Sequence, residues 1–253
     1  SKLLMIICMA KMLESRYNKL DTFKSLVVPI LYVGIPILLV FMQPDLGTSL
    51  VYIAIFVGML FVSGIRLRLV RIIATVGVLL MPLAWFVLKD YQKQRILVFM
   101  NPDIDPFGSG YHIIQSKIAI GSGTIFGKGL FNGTQSQLNF LPENHTDFIF
   151  SVIGEELGFI GCIFVLILLF MLIYRSIKVA YSCNDRFGML LATGIGSMLC
   201  FEVLVNAGMT MGIMPVTGIP LPFISYGVSA LTTNMISVGI LLNISMQRKK
   251  YIF

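Results

Sequence analysis

The chain has 253 residues, of which 57% are hydrophobic and only 12% are charged. An average soluble chain has about 45–50% apolar and about 25% charged residues, so this chain has too few polar residues to cover a soluble globule. The formal net charge is +7, but the basic residues lie between apolar segments and form no stripe with interleaved aromatic residues, which excludes nucleic-acid binding. The composition therefore predicts an integral membrane protein surrounded by membrane lipid.

Several apolar runs are long enough to cross a bilayer, and a shorter one precedes them. The long runs cover residues 26–42, 46–64, 72–88, 148–174, 187–206 and 227–246. Lipid offers no partners to unpaired backbone groups, so spanning segments of this length form helices. We predict an all-α polytopic membrane protein with seven transmembrane helices. Because the first run is short and no starting Met precedes it, we expect residues 1–253 to be one membrane domain, incomplete at its N-terminus.

The distribution of Lys and Arg predicts the orientation. Thirteen of the 19 basic residues lie in or beside residues 14–25, 65–71, 175–186 and the C-terminal tail. Short loops rich in Lys and Arg stay on the cytoplasmic side of a membrane. We therefore expect residues 89–147 and 207–226 to face outward.

Both outward segments have compositions unlike flexible linkers. Residues 89–147 are much longer than a usual connection and contain apolar patches, so we predict an ordered extracytoplasmic loop at the membrane interface. Residues 207–226 are rich in Gly, Pro and Met. That composition favours a re-entrant or broken segment enclosed by protein.

The densest polar cluster is Pro142-Glu143-Asn144-His145-Thr146-Asp147, directly before an apolar run. Asp147 therefore lies where a helix enters the membrane. Two interpretations stay open: an N-cap of that helix, which Thr146 or Asp147 would provide, and a general base whose pKa is raised by partial burial. His145 is more often an interfacial side chain than a catalyst.

Glu155 and Glu156 follow inside the same apolar run. Eight helical residues place Glu155 about 12 Å deeper than Asp147, where an ionised carboxylate costs at least about 2.5 kcal/mol. We predict that at least one of the two glutamates is held by a hydrogen bond or an ion pair. On the same helix, Asp147 and Glu155 could also border one cavity.

Three further motifs each have a structural and a functional interpretation. Asp45 lies in a tight turn and is an ordinary N-cap for the next helix. Asp103-Ile104-Asp105 resembles the paired aspartates that hold a metal in some glycosyltransferases, but the flanking Asn and Pro residues favour a turn. The glycine-rich residues 121–129 lack the spacing of a phosphate loop, although their backbone amides with Lys117 and Lys128 could bind an anionic group.

Taken in order, several motifs along essentially the whole chain resemble the SEDS family of bacterial membrane proteins, which comprises RodA, FtsW and SpoVE. The matching stretches are Gln43-Pro44-Asp45-Leu46-Gly47-Thr48, Gly108-Ser109-Gly110-Tyr111-His112, Pro142-Glu143-Asn144-His145-Thr146-Asp147, Gly154-Glu155-Glu156-Leu157-Gly158 and Pro215-Val216-Thr217-Gly218. Residues 133–138 are more similar to the RodA branch. Members of the family have ten spans, of which this chain would hold the last seven. Thr124 and Val228 stand where the family usually has glycine.

The resemblance implies a peptidoglycan glycosyltransferase of the bacterial cell membrane, which polymerises lipid II on the outer face during cell elongation. Asp147 would be the catalytic base that deprotonates the acceptor hydroxyl while undecaprenyl pyrophosphate departs. The expected substrate-binding residues either border the cavity or supply positive charge to the leaving group; they are Asp45, Glu143, His145, Lys2, Lys117 and Lys128, with Arg95 as a further cation. A divalent cation, Mg²⁺ or Mn²⁺, is the other source of positive charge, and no residue is assigned to it.

The resemblance also implies a class B penicillin-binding protein as partner, and two other functions stay open. A lipid II flippase would use the same polytopic bundle for transport, and a non-catalytic scaffold would only recruit the partner. The acidic cluster favours the enzyme because it lies at the outer boundary, whereas a transporter would place its carboxylates near the midplane of the membrane.

Overall fold

All the regular elements in the described part of the chain are helices. The computed structural model describes residues 1–18, 20, 23–43, 45–66, 68–72, 75, 79, 86, 88–106, 108–138 and 140–247. The helices are α1 (Lys2–Ser15), α2 (Phe23–Met42), α3 (Leu46–Val62), α4 (Asp90–Met100), α5 (Ser109–Ser122), α6 (Thr134–Gln137), α7 (Ile149–Ser182), α8 (Arg186–Thr210) and α9 (Val228–Gln247), with a 3₁₀ turn at Pro102–Ile104.

The long helices coincide with the predicted spans. Among them, α2, α7, α8 and α9 are long and apolar enough to cross a membrane, and α3 is a shorter apolar helix. The span predicted over residues 72–88 lies mostly outside the described residues. The prediction of an all-α polytopic membrane protein is confirmed.

The chain divides into two compact units. Unit 1 comprises Ser1–Leu83, Met171–Phe201 and Thr232–Phe253. Its core is apolar, and Ile6, Met59 and Ile195 are fully buried there. At Gly194, α8 lies so close to α1 and α3 that an added Cβ would come within 2.7 Å of Ile6 Cγ2 and 2.9 Å of Met59 Sδ. This absence of a side chain allows the helices of unit 1 to pack closely.

Unit 2 comprises Ala84–Phe170 and Glu202–Leu231. It contains α4, the 3₁₀ turn, α5, α6, the first part of α7 and the end of α8, followed by residues 211–227, which we call the 211–227 loop. The presence of α4, α5 and α6 agrees with the prediction of ordered structure within residues 89–147. The hydrogen bonds described below for Asp147, Glu155 and their surroundings all lie within unit 2.

Helix α7 is interrupted at Gly158, which has φ +66° and ψ −164°. The helix predicted over residues 148–174 is present as α7, but the prediction did not include this interruption. In an α-helix the carbonyl groups of Glu155 and Glu156 would accept from the N–H groups four residues later, those of Phe159 and Ile160. A break at membrane depth would leave these four groups without partners, which lipid does not tolerate.

Residues 124–129, which we call the glycine loop, supply the missing partners. Two of its N–H groups donate to carbonyls of α7, from Lys128 to Glu155 and from Gly129 to Glu156, each at 3.0 Å. Two of its carbonyls accept in turn, Thr124 O from Phe159 N–H at 3.0 Å and Ile125 O from Ile160 N–H at 3.2 Å. The sequence did not indicate this break, because the apolar run continues beyond Gly158 and a single glycine inside a helical pattern does not by itself end a helix.

Backbone geometry explains why the glycine loop needs its glycines. Gly127 has φ +82°, and an added Cβ would collide with the Glu156 carbonyl and the Gly158 N–H across the contact. Thr124 adopts φ +52°, a left-handed conformation that glycine enters without strain. This conformation gives a physical reason for the glycine that the resemblance places at position 124.

Candidate functional site

Asp147 lies at the end of a tight turn, two residues before α7 begins. The N–H groups of Thr146 and Phe148 both donate to the Glu143 carbonyl at 3.2 Å, and Glu143 adopts φ +52°. The next residue, Phe148, is buried and stacks on the His112 ring with 5.9 Å between ring centroids. This turn, residues 143–148, which we call the Asp147 turn, is thereby fixed at the point where the chain enters α7.

The Asp147 carboxylate is half-buried and accepts no hydrogen bond from any residue that the structure describes. An N-cap carboxylate or hydroxyl accepts from a backbone N–H in the first turn of its helix. The Thr146 hydroxyl instead donates to Glu143 Oε2 at 3.0 Å. The N-cap interpretation of Asp147 therefore has no support in the hydrogen bonding, and the carboxylate is free to accept from another molecule.

The environment of Asp147 favours its protonated form. Burial raises the pKa of the Asp147 carboxyl above its usual range, and the negative charge of Glu143 raises it further, while the positive charge of Arg95 opposes both effects. A carboxyl whose pKa lies closer to neutrality is a better general base at neutral pH than an ordinary exposed aspartate. These three charged residues come from α4 and from the turn before α7.

The backbone of the same turn is tethered to the end of α8 and to the 211–227 loop. Asn206 Nδ2 donates to the Asp147 carbonyl at 2.9 Å, and Ser225 Oγ donates to the Thr146 carbonyl at 2.6 Å. The carbonyl of His145 accepts from Tyr226 N–H at 2.8 Å. Nothing in the sequence pointed to Asn206 or Ser225, because a single Asn or Ser in an apolar or proline-rich stretch has no pattern that indicates a function.

Glu155 is fully buried and accepts hydrogen bonds from four donors. Lys128 Nζ lies 2.8 Å from Glu155 Oε1, and the Thr134 hydroxyl lies 3.1 Å from the same oxygen. The N–H groups of Gln135 and Ser136, at the start of α6, donate at 3.0 and 3.1 Å. The prediction that at least one of the two glutamates is held by a hydrogen bond or ion pair is confirmed for Glu155.

The predicted cations have different surroundings. The Lys128 amino group forms the ion pair with Glu155 and its side chain is 27% exposed. Lys117 is exposed on α5, next to Gly212, where an added Cβ would collide with its side chain. Arg95 is half-buried on α4 and acts on the pKa of Asp147. The side chain of His145 is exposed.

Lys2 and Asp45 belong to unit 1. Lys2 begins α1, and Asp45 precedes α3. The Asp45 carboxylate accepts from Thr48 N–H at 2.9 Å, so the N-cap interpretation is confirmed. Their roles toward a substrate stay predictions.

Two other motifs have structural roles. The amides of Gly127, Lys128 and Gly129 donate to the carbonyls of Gly123, Glu155 and Glu156, so these three amides are not available to bind an anion. In Asp103-Ile104-Asp105, Asn101 Oδ1 accepts from Asp103 N–H at 3.2 Å, as expected of a turn. Within the described part of the chain, no three His, Cys, Asp or Glu side chains converge as a metal site would require.

Comparisons with known proteins agree with these motifs. A family model described as "Cell cycle protein", which covers FtsW, RodA and SpoVE, matches residues 1–250. The chain is 46% identical to the peptidoglycan glycosyltransferase MrdB of Escherichia coli K12. The 229 aligned residues cover 90% of this chain and 62% of MrdB. It is 42% identical over 246 residues to stage V sporulation protein E of Bacillus subtilis 168, and the aligned residues cover 96% of this chain and 66% of that protein.

Solved structures show the same fold. A structure of a peptidoglycan synthase complex that coordinates polymerization and crosslinking matches with a TM-score of 0.80 and 32% identity, over 100% of this chain and 69% of that chain. The rod-shape-determining protein RodA of Thermus thermophilus matches with a TM-score of 0.65 and 30% identity, over 98% of this chain and 64% of the RodA chain. The chain thus spans less than two thirds of the length of some of these relatives.

Proposed function

This chain belongs to the FtsW/RodA/SpoVE family, and from that membership we propose that it is part of a peptidoglycan glycosyltransferase that polymerises lipid II with Asp147 as the general base. Relatives of this chain carry the name peptidoglycan glycosyltransferase. The observation that carries the assignment of the base is the half-buried Asp147 carboxylate, which accepts no hydrogen bond from the described residues and has a raised pKa.

The proposed step is a displacement at an anomeric carbon. Asp147 takes the proton from the hydroxyl of the acceptor sugar as the hydroxyl oxygen attacks the anomeric carbon of the donor. The new glycosidic bond forms while the bond from that carbon to the pyrophosphate oxygen breaks, and undecaprenyl pyrophosphate leaves with the electron pair. General-base assistance of this kind contributes typically about 10²–10⁴-fold in rate.

The leaving pyrophosphate carries negative charge and requires cations. Lys117 is an exposed candidate on α5 in the same unit as Asp147, and Arg95 is a second candidate because its charge already acts on Asp147. Lys128 would first have to leave Glu155. Lys2, Asp45, Glu143 and His145 stay proposed substrate contacts, and Mg²⁺ or Mn²⁺ stays a proposed source of charge.

The place and partner of the enzyme are part of the same proposal. The apolar helices support a multi-pass protein of the bacterial cell membrane with the Asp147 turn on the outer face, where assembled lipid II is displayed. The similarity to a peptidoglycan synthase complex supports a class B penicillin-binding protein as partner. The identity to MrdB, 46% against 41–42% for an FtsW and a sporulation relative, supports a role in elongation.

The test replaces Asp147 by Asn in the full-length protein purified with its partner. Asp147→Asn keeps the size of the side chain and removes the base, so the variant should accumulate and melt like the parent yet form at least about 100-fold less glycan from lipid II. Asp103→Asn, an exposed carboxylate in the same unit, is the matched control and should polymerise normally. Polymerisation by Asp147→Asn within a few-fold of the parent would reject the base assignment, and a parent that moves lipid II across liposomes without polymerising it would identify a flippase.

A further inference from the structure

Asn206 is completely buried and makes two hydrogen bonds, one to the Asp147 turn and one to the 211–227 loop. Its Nδ2 donates to the Asp147 carbonyl at 2.9 Å and to the Ile219 carbonyl at 2.8 Å, so both amide hydrogens are used. Its Oδ1 is buried without a partner among the described residues. The opposite amide orientation would turn Oδ1 toward two carbonyl oxygens, which can only accept. The position therefore requires a donor with two hydrogens, even though one acceptor stays unused.

Ser225 makes a second link to the same turn. Its hydroxyl donates to the Thr146 carbonyl at 2.6 Å and accepts from Leu221 N–H at 2.7 Å. The Ser225 hydroxyl must donate its one hydrogen to the Thr146 carbonyl, because a carbonyl cannot donate, and its oxygen then accepts from Leu221 N–H. Together with Tyr226 N–H on the His145 carbonyl, three consecutive carbonyls of the turn are held from outside it.

The same donors also anchor the 211–227 loop, whose residues Ile219 and Leu221 are buried. Within this loop, Gly218 has φ +71°, and an added Cβ would lie 3.4 Å from Asp147 Oδ2. The loop backbone therefore passes beside the carboxylate whose main chain it holds. Displacement of the loop would move the backbone and the surroundings of Asp147 together.

We propose that Asn206 and Ser225 are positioning residues that fix the Asp147 carboxylate for proton transfer by clamping the Thr146 and Asp147 carbonyls to the 211–227 loop. This inference rests on the proposed function of Asp147. With the carbonyls of Thr146 and Asp147 held by these two residues, the position of the Asp147 carboxylate depends on its side-chain torsions alone. A displacement of about 1 Å at a reacting group can cost about 10²-fold in rate, so loss of either clamp should slow the chemical step.

The test compares Asn206→Leu, Ser225→Ala and Ser225→Thr in the full-length protein with its partner, using lipid II as substrate. For the first two variants we expect kcat to fall about 10–100-fold, while KM for lipid II stays within about threefold because the clamps do not touch the substrate. The acidic limb of the pH–rate profile should move to lower pH, since a released Asp147 becomes more exposed. Ser225→Thr keeps the hydroxyl and should recover most of the rate.

Ser116→Ala is the matched control. The Ser116 hydroxyl is also fully buried in unit 2, where it donates to the Thr210 carbonyl at 2.6 Å and lies 2.6 Å from Ser151 Oγ; neither partner belongs to the Asp147 turn. Its loss should lower the melting temperature and leave kcat per folded molecule within about twofold. If Asn206→Leu fails to accumulate, Ser225→Ala decides the question, because it removes a single oxygen.

The outcomes separate this inference from the proposed function. If Asp147→Asn is inactive while Ser225→Ala, and Asn206→Leu where it folds, retain parental kcat and an unchanged acidic limb, the clamp is rejected and the base assignment stands. An equal loss of kcat in Ser116→Ala would also reject the clamp, since general destabilisation would explain the effect. Full activity of Asp147→Asn would reject both.

Discussion

Three carboxylates that the sequence singled out differ in how they are satisfied. Asp45 accepts from the backbone of α3, and Glu155 accepts from four donors. Asp147 accepts from none of the described residues. A carboxylate committed to structural hydrogen bonds gains little from contact with a substrate proton, so the unsatisfied Asp147 is the one suited to proton transfer.

The charges around Asp147 predict opposite pH shifts for two single substitutions. With Asp147 as the proposed base, activity would require the deprotonated carboxylate, so the rate should fall as the pH drops through the raised pKa of Asp147. Glu143→Gln removes a like charge, which lowers that pKa and should move the acidic limb of the kcat profile to lower pH. Arg95→Gln removes an opposite charge and should move it to higher pH.

Steady-state polymerisation of lipid II across the acidic pH range measures both shifts. Glu143→Gln keeps an acceptor for the Thr146 hydroxyl, so the turn should persist. Asp103→Asn, which does not act on the pKa of Asp147, should leave the limb in place. A shift of both variants in the same direction would contradict the electrostatic account.

At the scale of elements, the break in α7 and the glycine loop form one structure. Each supplies the hydrogen-bond partners that the other lacks, because the break leaves four backbone groups of α7 unpaired and four backbone groups of the loop bond to them. The Glu155–Lys128 ion pair and the hydrogen bond from Gln135 N–H of α6 to Glu155 also bind the loop and the residues after it to α7. Substitutions on either side of this contact should therefore act on folding before they act on chemistry.

Gly127→Ala tests the contact from the side of the loop. A Cβ at φ +82° would collide with the backbone of α7, so we expect a loss of at least about 1–3 kcal/mol in stability. Gly121→Ala is the control, since its Cβ would meet nothing within 4 Å and alanine is favoured in α5. Thermal melting in detergent should show a clear decrease for Gly127→Ala and none for Gly121→Ala; equal melting temperatures would refute the role given to the loop.

Glu155→Leu tests the contact from the side of the helix. The substitution leaves the partly exposed Lys128 charge and the N–H groups of Gln135 and Ser136 without their acceptor. An unsatisfied buried donor costs about 1–3 kcal/mol, so we expect a loss of stability of at least that size. Glu156→Leu, the neighbouring position, is the control and should melt near the parent. Glu155→Leu with Lys128→Leu should recover part of the loss. If both single glutamate variants accumulate and melt like the parent, the buried network does not stabilise the fold.

At the scale of the whole molecule, the predicted orientation determines which side of the membrane the Asp147 turn occupies. Two exposed asparagines mark the segments in question, Asn132 in the predicted outer loop and Asn184 between α7 and α8. In a background without Cys8, Cys162, Cys183 and Cys200, each asparagine is replaced by Cys and exposed to a membrane-impermeant thiol reagent. In intact spheroplasts Asn132→Cys should react, and Asn184→Cys should react only after permeabilisation. The reverse pattern would overturn the orientation.

The amino-acid sequence by itself determined the membrane character, the boundaries of the long helices and the candidate base. Composition decides whether a chain can remain in water, and apolar run length decides whether a helix can span lipid. Both are local properties, so α2, α8 and α9 begin and end within a few residues of the predicted limits. Asp147 was found because a polar motif directly before an apolar run marks the edge of the membrane.

Only the tertiary structure decided which groups satisfy one another. The partners of the α7 break lie about 30 residues earlier in the chain, and the donors to the Asp147 turn lie about 60–80 residues later. The periodicity of apolar residues does not predict such pairings, because a hydrogen bond between distant residues depends on where the folded chain brings them together and not on their neighbours in the sequence. For the same physical reason Glu155 and Asp147, two carboxylates eight positions apart, differ so sharply: four donors converge on one, and none of the described donors reaches the other.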